Sequence, residues 1–348
     1  MSGTVTIEII NPLQFTGWDK LLLTQPESTF FHSSNWARVL YATYGYKPLY
    51  FTVRDNDMFS ALVPVMEIDS FLTGKRGVSL PFTDFCQPII SDILRTDKIW
   101  HTIRKYGEKA GWKYIEIRGG DGLNQNIPVS SSCYEHSIFL SQGVQHVYNN
   151  FCDSHRRNIR KAQKVGVEVT VSDSLESMKD FYNLNVITRK RHGLPPQPFS
   201  FFKNIHQLVI EQKHGLLLIA RHQGKAIAGA LCFHFGNKAI YKYAASDKRY
   251  QHLRANNLVI WKALEHYSRQ GFCSFNFGRT EQDHKGLKQF KTGWGAKETT
   301  VNYYRHFFQH NSLTTTVPSV DGYHTKVFKK LPVPLLKIIG TILYRHIG

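Results

Sequence analysis

Residues 241–280 read YKYAASDKRYQHLRANNLVIWKALEHYSRQGFCSFNFGRT, and the spacing of their apolar residues changes twice. The stretch opens inside a run at 238–245 that follows a turn at Gly236-Asn237, which predicts a strand. Ile260, Trp261, Leu264 and Tyr267 then fall at i, i+1, i+4 and i+7, one apolar stripe of a helix over about residues 254–270. Asn256 is placed to cap the start of this helix, and Gly271 to end it in the left-handed conformation. After Gly271 the apolar residues alternate again, Phe275 and Phe277 with polar neighbours, so a second strand runs toward Gly278. Strand, helix and strand in this order predict an α/β unit.

Working outward, the same order recurs. Residues 216–221 read as a strand, 222–225 as a turn and 226–235 as a longer strand leading to the unit above. In the first half, 48–54 read as a strand, Asp55-Asn56-Asp57 as a turn, 60–68 as the returning strand and 96–110 as a helix. GWKYIEIRGG (111–120) follows, with Ile115 and Ile117 in the places of Phe275 and Phe277. The chain is therefore expected to hold an internal duplication. Its length of 348 residues fits about two domains.

Three segments carry unusual chemistry. DSHRRNIRKAQKVGVEV (153–169) predicts a helix capped by Asp153 or Ser154 and ended by Gly166, with Ile159, Ala162 and Val165 as a thin apolar stripe. Its other faces hold Arg156, Arg157, Arg160, Lys161 and Lys164, either a solvated surface or an anion-binding ridge. In TRKRHGLPPQPFSFF (188–202), the prolines stop a helix and set a loop whose phenylalanines line a surface or simply pack. In GRTEQDHKGLKQFKTGWGA (278–296), Phe290 and Trp294 are expected to anchor a loop, Gly293 and Gly295 to permit its bend, and Lys291 to turn into a cleft. Lys288 has no comparable anchor in that reading.

Lys+Arg of 44 against Asp+Glu of 26 gives a net charge of +18, which favours polyanionic partners: nucleic acid, phosphorylated substrates or an anionic membrane face. Five scattered cysteines show no paired spacing, so neither a disulfide framework nor a metal site is expected. Neither a signal peptide nor a membrane-spanning window is visible, so a cytoplasmic location is expected. In the basic stretch 311–348, Leu335, Leu336, Ile339, Ile342 and Leu343 share a helical face near Lys326, Lys329, Lys330, Lys337 and Arg345. That face either meets an anionic membrane or packs on the first domain.

In order and spacing, FHSSNWARV (31–39), SHRRNIRKAQKVGVEV (154–169), TRKRHGLPPQPFSFF, the 241–280 stretch and GLKQFKTGWGA (286–296) resemble the FemAB-like proteins. The resemblance covers roughly residues 10–310. It implies an α/β (α+β) fold of two tandem GNAT-like domains, 1–145 and 146–310, followed by the tail; each domain has a mixed, largely antiparallel sheet flanked by helices. It implies a monomeric enzyme that moves an acetyl or aminoacyl group to an amine of a peptidoglycan or exopolysaccharide precursor. That acceptor would be phosphorylated or linked to a nucleotide or lipid. The donor would be acyl-CoA or aminoacyl-tRNA, with no permanently bound cofactor. Lys291 matches the lysine of the family's FK-x-x-(W/F)-G segment, implicated in catalysis; Asp84, in LPFTDFCQP, falls on the acceptor side. Arg38 and Arg191 match family cations, and Arg156, Arg160, Lys164, Arg254 and Asn257 complete the expected substrate-binding set.

One departure stands out. Acetyl-CoA-dependent GNAT domains carry (Q/R)-x-x-G-x-(G/A) at a helix start, where bare amides hold a pyrophosphate. RYQHLRANN (249–257) has no glycine, which favours a bulkier donor such as aminoacyl-tRNA. Acyl transfer also needs oxyanion donors and a base, for which Asp84, Glu281 and Asp283 are candidates. The rival is a non-catalytic module, either an assembly partner or an RNA binder stacking bases on Phe199, Phe201 and Phe202.

Overall fold

The computed structural model describes residues 6–55, 58–91, 96–120, 123, 127–308 and 323–348. Its strands are β1 (Glu8–Ile10), β2 (Lys47–Asp55), β3 (Met58–Ile68), β4 (Arg76–Val78), β5 (Ile89–Ile90), β6 (Tyr114–Arg118) and β7 (Val129–Phe139). They continue as β8 (Glu168–Ser172), β9 (Gly215–His222), β10 (Lys225–Phe235), β11 (Lys238–Ser246), β12 (Ser274–Glu281) and β13 (Lys297–Phe307). The helices are α1 (Trp18–Leu22), α2 (Ser34–Tyr44), α3 (Thr96–Ala110), α4 (Val144–Asn149), α5 (Asp153–Lys164) and α6 (Leu175–Arg191). After these come α7 (Phe199–Ile205), α8 (Ala255–Arg269), α9 (Lys285–Thr292), α10 (Tyr323–Lys330) and α11 (Val333–Leu343).

Two units divide the chain. The first takes the described residues of 1–133, 300–318 and 343–348, the second those of 134–299 and 319–342. This differs from a break at 145/146 because β7 and β13 each contribute to both units, and the last residues return to the first.

In the first unit the strand order is β1-β2-β3-β4-β6-β13-β7. β2 and β3 form the expected hairpin, with Leu49 opposite Val65 and Phe51 opposite Val63; Asn56 and Asp57 of its turn lie outside the described residues. β4 pairs antiparallel with β3 and parallel with β6, and α3 packs its Ile99 and Ile103 with Trp112, Ile115 and Ile117. In the second unit the order is β13-β7-β12-β11-β10-β9-β8. There β9 and β10 form the hairpin, β11 returns antiparallel, and β12 runs parallel to β11 after α8. Leu264 and Tyr267 of α8 join Phe275, Phe277 and Trp294 in the core. Each unit thus runs hairpin, third strand, helix, parallel strand. The third strand of the first unit, β4, has only three residues, too few to show alternation in sequence.

Both predicted glycine stops hold, with φ +76° at Gly166 and at Gly271. The predicted caps do not. Cys152 is the N-cap of α5, without a capping hydrogen bond from its side chain, and Asp153 is drawn to Arg156 at 2.5 Å. Arg254 is the N-cap of α8, while Asn256 lies one residue inside the helix and donates to Ser246 Oγ at 3.3 Å. Phe201 and Phe202 are fully buried, packed among Phe181 and Tyr243, so they are unavailable for stacking on bases. The tail helices belong to the second unit. Gly340 lies against the Pro196 carbonyl, where a Cβ would approach to 1.9 Å, and Lys337 Nζ sits 5.0 Å over the Tyr182 ring. Residues 344–348 belong to the first unit, where Arg76 Nη2 donates to His346 O at 2.7 Å.

Candidate functional site

The parallel pairing of β11 and β12 lasts three residues, Lys238–Ile240 against Ser274–Asn276. Past that point β11 carries an extra residue against β10: Leu231 faces Tyr243 but Cys232 faces Tyr241, leaving Lys242 as a bulge. Bulges bend a strand and raise its twist, which helps part it from its neighbour. β11 ends at Ser246. Asp247 then accepts from the Arg249 backbone N–H at 3.0 Å and from its guanidinium at 2.6 Å, fixing a 3-10 turn over Lys248–Leu253. Arg249's hydrogen bond holds the Asp247 carboxyl below its ordinary range.

This turn delivers Arg254 with φ 61° and ψ 26°, left-handed backbone that glycine adopts freely. A larger residue there costs on the order of 1 kcal/mol. The missing glycine is therefore replaced by a strained, exposed arginine at the helix start. No side chain caps α8, so its first-turn amides carry the positive end of the helix dipole outward.

A cleft of about 230 Å³ opens at this helix start. Ser154, His155 and Asn158 of α5, Arg254 and Asn257 of α8, and Phe290 of α9 are among its walls. A neighbouring cleft of about 360 Å³ shares Ser246, Gln251 and Asn256 with it and adds Arg191, His192 and Lys248. Three expected substrate-binding residues, Arg191, Arg254 and Asn257, are thus brought together.

The others are not. Arg156 is held by Asp153 and donates to Asn149 O at 2.8 Å, while Arg160 and Lys164 are exposed; none of the three lines these clefts. Arg38 is exposed on α2, beside Asp19 and Ser34 in a separate cleft of the first unit. Asp84, also in the first unit, is half-buried, and its backbone carbonyl accepts from the Tyr303 hydroxyl. Glu281 pairs with Arg279 at 2.7 Å, and Asp283 is exposed.

The 278–296 segment corrects the sequence reading. Lys285–Thr292 is a helix, so successive side chains point about 100° apart rather than to opposite sides. Phe290 faces the cleft, and Lys291 is buried at 5% exposure. The Lys291 ammonium donates to Gly278 O at 2.8 Å and Arg279 O at 2.9 Å, clasping β12 beyond its pairing with β11. Lys288, expected to lack an anchor, is bound to Glu298 at 2.8 Å and lies 4.5 Å over the Tyr134 ring. Gly295 does use positive φ, +77°, but Gly293 is right-handed at φ −61°. Gly293 serves by closeness instead: a Cβ there would stand 2.8 Å from His155 Nε2.

His155 is the residue that sequence reasoning missed. Its Nε2 lies 2.8 Å from Phe290 O, which can only accept, so Nε2 carries the proton. Nδ1 then accepts from Asn257 Nδ2 at 3.2 Å, and the ring stacks on Trp294 at 4.3 Å. Burial pushes the imidazole pKa down, so the neutral ring ties α5, α8 and α9 into one wall. The signal was present: His155, Ile159 and Ala162 fall at i, i+4 and i+7, on the buried face of α5.

Residues 149–286 match the family model described as an acetyltransferase (GNAT) domain. Lipid II:glycine glycyltransferase of Staphylococcus epidermidis is 23% identical over 209 residues, 41% of this chain and 50% of that protein. The chain spans about half the length of the curated relatives it matches. Among solved structures, FemX is similar with a TM-score of 0.67 at 15% identity, covering 85% of this chain and 96% of that one. A tandem GNAT protein from the clavulanic acid biosynthesis pathway gives 0.54 at 10% identity, over 87% and 98%. With two units of like plan and the short-lived β11–β12 pair, these similarities give the chain a tandem GNAT fold.

Proposed function

We propose that the second unit moves an acyl group, acetyl or aminoacyl, from an activated donor to an amine on a lipid-linked cell-envelope precursor. The observation that carries this reading is the cleft at the uncapped start of α8, with Arg254 and Asn257 in its wall. First-turn amides and a guanidinium together suit a phosphate. Both donor classes carry phosphates: the pyrophosphate of acyl-CoA, at the far end of its pantetheine arm, and the phosphodiesters of the terminal nucleotides of aminoacyl-tRNA. Arg191 and Lys248 in the adjoining cleft add charge suited to the longer polyanion, so the proposal favours aminoacyl-tRNA.

In the transfer, the amine nitrogen attacks the acyl carbonyl. The new C–N bond forms as the C–S or C–O bond breaks, and the amine's proton ends on the departing thiol or ribose hydroxyl. Lys291 acts by holding the exit of β12, a positioning role. The lipid-linked acceptor is supported by the name of the Staphylococcus epidermidis relative.

The test is incubation of the full chain with lipid II and either labelled acetyl-CoA or tRNA charged with a labelled amino acid. Label should pass to the lipid fraction from one donor. Binding of tRNA with no transfer from either donor would instead support the non-catalytic module.

A further inference from the structure

The stretch from residue 323 to 348, YHTKVFKKLPVPLLKIIGTILYRHIG, contains five lysines and arginines and no aspartate or glutamate. Within the second unit it forms α10 and α11, and α11 shows two apolar faces of different fate. One face is used: Leu336 is fully buried, and Gly340 is pressed against the Pro196 carbonyl. The other is not. Leu335, Ile338 and Ile342, at i, i+3 and i+7, are 43%, 58% and 55% exposed. Val327 of α10 is 40% exposed, and Lys326, Lys329 and Lys330 beside it are all exposed.

Isoleucine and leucine at such spacing leave a continuous stripe in water, an arrangement that marks an interaction surface. The surrounding charge selects the partner. Exposed lysines on the helix that leads into the apolar stripe, without a carboxylate in the whole stretch, complement a surface that is apolar within and anionic at its rim. At eleven residues α11 is too short to cross a bilayer, and no helix among the described residues is long and apolar enough to do so. We infer that the outward face of α11 docks flat on an anionic lipid surface, with Leu335, Ile338 and Ile342 entering the interface and Lys326, Lys329 and Lys330 meeting lipid phosphates. The inference does not depend on the acyl donor or on the acyl-transfer reading. If both hold, docking would keep the enzyme beside a lipid-linked acceptor.

Co-sedimentation of the full chain with vesicles tests it, using phosphatidylcholine alone against phosphatidylcholine with about a third phosphatidylglycerol. Binding should be at least tenfold stronger to the anionic vesicles and should fall as salt rises. The triple variant Leu335→Ser, Ile338→Ser, Ile342→Ser alters only exposed side chains, so its melting temperature should match the parent's while vesicle binding drops tenfold or more. Lys326→Gln, Lys329→Gln, Lys330→Gln should lose the preference for anionic vesicles. The inference is overturned if the serine variant, folded, binds as the parent does, or if the parent stays in the supernatant with both vesicles. It is equally overturned if the parent is a dimer in solution that the serine variant converts to a monomer, since the stripe would then be a contact between copies.

Discussion

The two units repeat one plan and treat its opening differently. In the second, β11 and β12 part beyond Ile240 and Asn276, and a cleft lies at the start of the intervening helix. In the first, the equivalent pair is β4 and β6, which match only at Gly77–Ile115 and Val78–Glu116. The chain itself fills the space that follows. Ser79 donates to Glu116 O, Cys86 N to Arg118 O, and Arg118 N to Ser79 Oγ, so segment 79–88 lies along the end of β6. Gly119 and Gly120 have no room for a side chain, because a Cβ would stand 3.0 Å from Gln87 and 2.4 Å from Pro88. Each opening also holds left-handed residues other than glycine: Leu80 and Phe82 in the plug, Arg254 at the open cleft. The opening of the first unit is filled by its own chain, and that of the second is left as a cleft.

The largest expected difference follows from Arg118. Its guanidinium donates to Glu116 at 2.9 Å and to Leu80 O and Thr83 O at 3.2 Å, so it joins plug to strand, and Arg305 meets the other Glu116 oxygen. Arg118→Met would leave a buried carboxylate with one partner and two carbonyls with lost donors, costing about 3–5 kcal/mol. Chemical denaturation should show this loss. A variant with unchanged stability would mean that the plug does not hold the first unit together.

Acid should separate the units next. Burial alone would raise the Glu116 pKa, but Arg118 and Arg305 bring it down to about 2 from 4.5. A depressed carboxyl contributes stability that is complete above pH 4.5 and lost as pH falls toward 2, on the order of 3 kcal/mol. In the second unit, burial lowers the His234 pKa to about 4, and those of His136, His155 and His266 shift the same way. These imidazoles stay neutral when folded and bind protons when unfolded, so stability falls as pH drops from 6.5 toward 4. In the first unit burial also lowers the His306 pKa. Hydrogen exchange resolved by peptide should therefore show the second unit losing protection at the higher pH. The reverse order would contradict the assignment of these groups.

How far the sequence showed this depended on the length of the signal. The stripe of Ile260, Trp261, Leu264 and Tyr267 and the paired hairpins carried enough repeats to announce both units. β4 was too short, and the plug was invisible because its contacts join residues some thirty to forty apart in sequence. At the site, Arg254 and Arg191 were legible as cations, whereas the fate of Lys291 was not. Alternation was assumed where the backbone is helical, which exchanged the roles of Phe290 and Lys291.

Lys291 yields an intermediate effect, and its sign of action can be separated. Lys291→Met removes donors from Gly278 O and Arg279 O in a buried setting, which costs about 1–3 kcal/mol of stability. If the lysine positions β12, turnover and melting temperature should fall together. Loss of turnover at an unchanged melting temperature would make Lys291 a catalytic residue instead.

The smallest effect is the sharpest for the comparison, because it sets stability and binding in opposition at one residue. Arg254 pays for a left-handed backbone that glycine would adopt without strain, and its exposed side chain supports nothing else in the fold. Arg254→Gly should therefore leave the melting temperature unchanged or slightly raised, the relief of strain offsetting the entropy glycine returns to the unfolded chain. If the guanidinium meets a donor phosphate, the same change should weaken donor binding about tenfold, close to 1.4 kcal/mol. The weakening should shrink as salt rises, since an exposed charge on a phosphate is screened. Titration calorimetry with the donor at two ionic strengths, beside a thermal melt, reads both quantities. Unchanged affinity with a raised melting temperature would show Arg254 to be a strained residue with no part in donor binding, and the open cleft of the second unit would need another anion contact.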